Sequence, residues 1–244
     1  MCHLGLVPYA DGLAFQETIR ARRQAGEIPD TLLLLEHPPT YTVGRRAAAE
    51  ELPFPRSFYA AKGIEVHDTD RGGRITYHGP GQLVGYPIMA VNDVIEHLRA
   101  IERAISRALG ELGVQARGRV QDGPDYTGVW VQERKIASIG VHLSRGVSTH
   151  GFAVNVQNDL EPFSWVVACG LPDVTMTSLA AETNGAGEGL RCFRKRIAHT
   201  FCEEHDARQR IVTPTRLGLA TTRNPSGGPR GPEPIQKNRL QVAA

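Results

Sequence analysis

Cysteine is scarce in this chain of 244 residues. Cys2, Cys169, Cys192 and Cys202 form no Cys-x-x-Cys pair and no zinc-ligand spacing, so the pattern excludes a disulfide framework and a structural zinc site. The longest apolar run, "TLLLL" at 31–35, falls far short of the roughly 18 residues that a membrane span requires. Nothing near the N-terminus reads as a signal peptide, and reduced thiols in the cytoplasm are the expectation. Neither sign of charge is in excess. A formal net charge of +2 gives no general attraction to nucleic acid or to a membrane, so any partner must be recognised locally. The chain also lacks G-x-x-x-x-G-K-[ST], G-x-G-x-x-G, H-E-x-x-H and G-x-S-x-G. These absences argue against a phosphate loop, a dinucleotide fingerprint, a zinc-protease helix and a serine nucleophile on an elbow, since Ser138 and Ser148 both lack that setting.

What is present reads as a mixed α/β (α+β) fold. A moderately helical segment at about 12–25 precedes "TLLLLE" (31–36), a short apolar run ending at "HPP" that fits a buried strand. The clearest helix starts at Asn92 or Asp93 and runs to about Leu112. Ile95, Leu98, Ile101, Ile105, Leu109 and Leu112 recur at spacings of three and four, and so share one face. Asp93 with Glu96 resembles a capping box, and Gly113 suits the helix end. "TGVWVQERKIASIGVHL" alternates around a polar "QERK", which predicts a hairpin with Lys135 just past its turn. "VSTHGFAVNV" supplies a further strand, and a last helix at about 192–206 turns Phe193, Ile197 and Phe201 inward.

From 213 the composition shifts to Pro and Gly without an apolar period, which predicts one domain over 1–212 and a flexible tail over 213–244. Five basic residues against the single acid Glu233 give that tail a charge of +4 and leave −2 for the rest. The tail reads as solvated, with weak contact to an anionic partner as the alternative.

Three features carry chemical interest. "HGPGQLVG" and the glycines at 72, 73, 79 and 81 suit either sharp turns or a backbone lying close to a ligand. His37, His78 and His150 each sit beside Gly or Pro in a loop or at a strand end, where structural and functional roles are both open. Cys169, in "VVACGLPDVTMTSL", is either buried filler or a nucleophile. A thiol of pKa about 8.5 is only about 3% thiolate at pH 7, so a nucleophilic cysteine needs a cation or a helix N-terminus beside it. Lys135, Arg71, His78 and His150 are the candidates.

Several segments, in order, resemble the lipoyl(octanoyl) transferases: "EHPPTYTVGR" (36–45), "RGGRITYHGPGQLVGYPI" (71–88), "TGVWVQERKIASIGVHLSRGVSTHGFAVNV" (127–156) and "ACGLPDVTMTSL" (168–179). The resemblance implies the fold of the biotin and lipoate protein ligase catalytic domains, mixed β-sheets with packed helices. It implies that Cys169 carries an acyl thioester and that Lys135 promotes its thiolate. It assigns substrate binding to Arg71, Gly72, Gly73, Arg74, Ile75, Thr76, Tyr77 and His78, to Ser138, Ile139 and Gly140, and to Gly151, Phe152 and Ala153. Ile75 and His142 depart from the family pattern, and neither is a catalytic position. The tail lies outside the resemblance.

The implied reaction moves an octanoyl or lipoyl group from acyl carrier protein to a lysine of lipoyl domains, those of 2-oxoacid dehydrogenases and the glycine cleavage H protein. No cofactor and no metal are implied, no nucleic acid or membrane partner is expected, and the protein is expected to act as a monomer. Backbone N–H groups near "CG" and on the glycine-rich strand are the expected oxyanion donors. An ATP-dependent lipoate or biotin ligase of the same fold, and a non-catalytic binding or redox-sensing module, are the alternatives.

Overall fold

In the computed structural model, which describes residues 1–171 and 174–219, the run at 31–36 is strand β2 (Thr31–Glu36), an inner strand next to the edge of the larger of two sheets. Its side chains alternate between two cores. Leu32 and Leu34 face one apolar cluster, Leu33 and Leu35 the other. A strand buried on both faces reads as a continuous apolar run, which is why β2 shows no polar alternation.

The other strands are β1 (Cys2–Leu6), β3 (Thr40–Val43), β4 (Glu65–Asp68), β5 (Ile75–His78), β6 (Gln82–Ile88), β7 (Arg117–Gly118), β8 (Gly128–Val131), β9 (Arg134–Ser144), β10 (Val147–Asn155) and β11 (Thr175–Met176). The helices are α1 (Tyr9–Gln24), α2 (Arg56–Ala61), α3 (Val94–Gly110), α4 (Leu179–Glu182) and α5 (Leu190–Glu204). The large sheet runs β1-β2-β6-β10-β9-β8-β7, with β1 and β2 parallel and the remaining neighbours antiparallel. β11 pairs in parallel with Arg134 and Lys135, taking over the edge of β9 just beyond its pairing with β10. α3 and α5 cover one face of the sheet through Ile101, Ile105, Leu109, Phe193, Ile197 and Phe201, and Phe15 and Ile19 of α1 pack on the other. A second sheet, β4-β3-β5, has its own core around Tyr41, Tyr59, Tyr77 and Phe163.

The expected elements form, with differences at their ends. Asp93 caps α3, its Oδ1 accepting from the N–H groups of Ile95 (2.9 Å) and Glu96 (3.1 Å). Glu96 does not complete a capping box; its carboxylate accepts from Arg103 at 2.9 Å. Ile95 falls on the predicted apolar stripe but is 50% exposed, because the first turn of α3 projects past the sheet. The hairpin turns on Gln132 and Glu133, with Gln132 at φ 53°.

Residues 213–219, expected to open the tail, are part of the packed structure. Thr215–Leu217 form a 3-10 turn, Leu217 and Leu219 are buried in the cluster under α1, and Arg22 donates to the Leu217 carbonyl at 2.8 Å. Two leucines spaced by one residue reach an apolar surface left open by β1 and α1, which a composition average over 32 residues conceals. The rest of that segment, 220–244, lies outside the described residues.

Candidate active site

Lys135 and Cys169, 34 residues apart, meet because β11 carries the chain from the cysteine back along β9. The Thr177 N–H donates to the Lys135 carbonyl at 3.0 Å, and the Lys135 ammonium lies 3.2 Å from Cys169 Sγ. Lys135 is buried, 2% exposed, while Cys169 is half-buried at the edge of a cleft. Ser138 Oγ lies 3.9 Å from the same sulfur, and the Trp130 ring centroid lies 5.2 Å from the Lys135 ammonium. A cation over an indole face is attracted by the ring quadrupole, so Trp130 steadies the lysine on the side away from the cysteine network.

Two glycines make this approach possible. A Cβ on Gly128, where φ is 145°, would stand 2.4 Å from the Ala137 carbonyl oxygen and 2.7 Å from Lys135 Cε. Gly170 has φ 69°, and a Cβ there would lie 2.1 Å from Arg74 Cδ. Cys169 itself is left-handed, at φ 59° and ψ 12°, a conformation that costs a non-glycine residue about 1–3 kcal/mol and recurs at functional sites. The turn is held from outside. Its preceding Val167 N–H donates to the Glu51 carbonyl at 2.9 Å, and Arg74 bonds the Glu51 carboxylate at 2.5 Å and Asp125 at 3.1 Å. Of the N–H groups near "CG", those of Gly170 and Leu171 are turned into this 3-10 turn toward Val167 O (3.4 Å) and Ala168 O (3.2 Å).

The three segments expected to bind substrate line one cleft with two exceptions. Ile75, Thr76 and His78 of β5 face Ser138, Ile139 and Gly140 of β9 and Gly151, Phe152 and Ala153 of β10, while Arg71, Gly73 and Arg74 form the connecting wall. Tyr77 is not in the cleft. On a strand, alternate residues point to opposite faces, and Tyr77 packs against Tyr41 and Phe163 in the small-sheet core. Gly72 is not in the lining either. Its N–H donates to the Val141 carbonyl at 2.9 Å, tying the glycine-rich loop to β9.

Arg71 does not reach out for a ligand. Buried, it donates to Thr42 Oγ1, to the Thr42 and Arg74 carbonyls and to the Gly72 carbonyl, so it fastens the loop to β3. Burial lowers its pKa, and the Cys169 side chain is among the groups that offset this, which sets the guanidinium charge within reach of the sulfur.

Sequence reasoning passed over Tyr9, Tyr86, Arg46 and Asp125, which also line the cleft, and did not assign His150 to it. Nothing in their local patterns marks them. Tyr9, His78 and Tyr86 of the cleft lining form a buried aromatic group with His37, which lies outside the lining. His37 Nδ1 donates to the Val7 carbonyl at 2.6 Å and its Nε2 accepts from the Tyr86 hydroxyl at 2.6 Å. Gln82 donates through Nε2 to Tyr77 and Asn155, so its Oε1 accepts from His78 Nδ1 at 2.8 Å, and His78 Nε2 is left as an acceptor. Burial pushes His37 down to about 4 and His78 down to about 3. Both rings are therefore neutral at pH 7, and His78, the one of the two that lines the cleft, brings no charge to it. Burial also lowers the pKa of His150, against the pull of Asp70 at 2.8 Å, and that bond brings Asp70 down to about 2.

Among the described residues no helix is long and apolar enough to cross a membrane. Residues 8–201 match the lipoyl protein ligase A/B catalytic domain. The chain is 50% identical over 204 residues to an octanoyltransferase of Solibacter usitatus, covering 81% of this chain and 90% of that one. It is 43% identical over 199 residues to an octanoyltransferase of Acidobacterium capsulatum, covering 75% and 79%. Among solved structures, a lipoate-protein ligase A bound with ATP superposes with a TM-score of 0.73 over 89% of this chain and 91% of that one, at 21% identity, a likeness of fold. The chain belongs to the lipoyl protein ligase A/B catalytic-domain family, is similar to octanoyltransferases over most of its length, and is an acyltransferase that serves protein lipoylation.

Proposed function

We propose that the protein takes an octanoyl or lipoyl group from acyl carrier protein onto Cys169 as a thioester and passes it to a lysine of lipoyl domains, including those of 2-oxoacid dehydrogenases and the glycine cleavage H protein, in the cytoplasm. The observation that carries this reading is the 3.2 Å contact between a buried ammonium and a half-buried thiol on a left-handed turn. Of the cysteines with a described environment, Cys169 is the one in hydrogen-bond reach of a lysine, and a cation beside a thiol favours the thiolate.

In the first half-reaction the Cys169 thiolate attacks the donor thioester carbonyl. The new C–S bond forms, the carrier's C–S bond breaks, and the departing thiolate takes the Lys135 proton. Exchange of one thioester for another is nearly balanced in energy, so positioning and a ready thiolate matter more than driving force. In the second, the acceptor amine attacks the same carbonyl, its surplus proton passes to the now neutral Lys135, and the C–S bond to Cys169 breaks as the amide forms. Thioester to amide is downhill, so no nucleotide is needed. The chain of about eight carbons would lie along β9 and β10 between Ile139, Phe152 and Ala153, with about 0.8 kcal/mol of grip per buried methylene.

The test is to incubate the protein with octanoyl-acyl carrier protein alone and record its intact mass. One octanoyl adduct, removed by hydroxylamine and absent from Cys169→Ser but present in Cys192→Ser and Cys202→Ser, supports the reading. Strict dependence on ATP and free acid would overturn it in favour of a ligase. Loss in all three variants alike would point to folding rather than to a nucleophile.

A further inference from the structure

The large sheet hides a carboxylate directly behind the catalytic lysine. Glu102 projects from the middle of α3 and is 4% exposed. It has no side-chain donor. Its Oε1 accepts from the backbone N–H groups of Gly128 (3.0 Å) and Arg119 (3.1 Å), and its Oε2 from Val120 (3.3 Å). The chain is shaped around it, since a Cβ on Gly118 would stand 2.2 Å from Oε2. The same Gly128 whose N–H bonds Glu102 is the residue whose missing Cβ leaves room for Lys135, with that Cβ position only 3.4 Å from the ammonium nitrogen. Glu102, Gly128, Lys135 and Cys169 thus follow one another in a chain of near contacts.

We propose that Glu102 is a positioning residue that keeps the shared proton of the Lys135–Cys169 pair on nitrogen, and so keeps the sulfur as thiolate. This rests on the thioester reading above. When the pair holds one proton, it sits either on Nζ, giving ammonium and thiolate, or on Sγ, giving amine and thiol. Burial alone favours the neutral arrangement, because both groups are out of water. A carboxylate nearer to nitrogen than to sulfur tilts the balance toward the ion pair. Arg71 favours the same ion pair through the sulfur, whereas Arg119 is engaged with Asp122 and Glu133, Arg134 with Glu182, and Arg74 with Glu51 and Asp125, so Glu102 is left to act on the nitrogen. Burial raises the Glu102 pKa, while its three N–H bonds and the Lys135 charge hold it down.

The matching variant is Glu102→Gln, which keeps both Oε1 bonds and puts an NH2 donor only against the longest contact, Val120 N–H. Thiolate absorbance and iodoacetamide labelling of Cys169 are followed from pH 5 to 10. A tilt of about one pH unit, as expected for an opposite charge nearby, lowers the plateau thiolate several-fold and moves both limbs of the profile to lower pH. Loss of a purely structural group would lower folding or transfer at every pH and leave the limbs in place, and that result overturns the proposal. Should Glu102→Gln fail to fold, carbon NMR of the Glu102 carboxyl in wild type and in Lys135→Met decides. Its titration moves up when the lysine charge is gone if the two are coupled, and an unchanged titration overturns the proposal. If the wild type forms no thioester at all, the earlier reading fails, independently of this one.

Discussion

Replacing Leu217 by alanine tests whether the chain beyond 212 belongs to the folded unit. Leu217 is 6% exposed and sits with Leu219, Phe15, Ile19 and Val7 in the cluster beneath α1. Truncating a buried leucine to alanine costs about 2–5 kcal/mol, most where the void cannot relax. Leu217 also lines a groove with Arg22, Ile28 and Val212, so solvent and neighbouring side chains can close on the space, and the low end, about 2–3 kcal/mol, is the expectation. For a domain of this size that corresponds to about 4–12 °C in melting temperature. Leu6, 48% exposed at the end of β1, is the matched control, and Leu6→Ala should fall within about 0.5 kcal/mol of wild type. Urea denaturation of the three proteins, followed by fluorescence and by circular dichroism, supplies the numbers. If Leu217→Ala and Leu6→Ala lose the same small amount, the segment does not pack on the core, and the boundary read from composition, 212, is restored.

Truncation after Leu219 should keep the melting temperature and the transfer rate of the full chain, whereas truncation after Thr213 should lower the melting temperature; equal behaviour of the two would contradict the packing of Leu217 and Leu219. Gly170→Ala should reduce transfer at least tenfold while leaving the secondary structure unchanged, since it places a methyl against Arg74 at a left-handed position; circular dichroism and a single-turnover acylation rate check this. Stability should fall on acidification from about pH 6.5 toward pH 4. His37 is neutral in the folded state down to about 4 and takes its proton near 6.5 when unfolded, so in that window the unfolded chain binds more protons. His37→Gln should flatten the slope of urea midpoint against pH, and an unchanged slope would remove His37 as its source.

The sequence makes the elements legible where period and punctuation agree. α3 carries its apolar stripe, its Asp93 cap and Gly113 after its end, and the hairpin around "QERK" follows from alternation alone. The two-layer packing was less visible, because a run such as "TLLLL" does not say whether one face or both are buried. That β4 and β5 leave the large sheet and join β3 in a sheet of their own was not legible. Its strands are four residues long, and β3 and β4 are joined in parallel through α2, a pairing that no local pattern encodes. The 213–219 segment was misread for the opposite reason, two leucines being diluted by the composition around them.

The cleft shows why residue roles are harder to read than elements. The glycine-rich segment does form its wall, yet within it Tyr77 faces the core and Gly72 serves a cross-sheet bond, because a motif is a string while a strand has two faces. The Lys135–Cys169 contact depends on β11, two residues long, and on a left-handed cysteine, neither of which has a sequence signature. Glu102 is the extreme case. It looks like an ordinary polar residue on a helix between Ile101 and Arg103, and only the tertiary structure puts it behind Gly128. An ATP-bound lipoate ligase shares this fold at 21% identity, so the architecture alone does not choose between activating a free acid and exchanging a thioester. What favours thioester exchange in the function proposed above is local. A buried ammonium against a thiol on a strained turn is costly to maintain, and under that proposal the carboxylate beyond Gly128 offsets the cost in the charge state that the exchange requires.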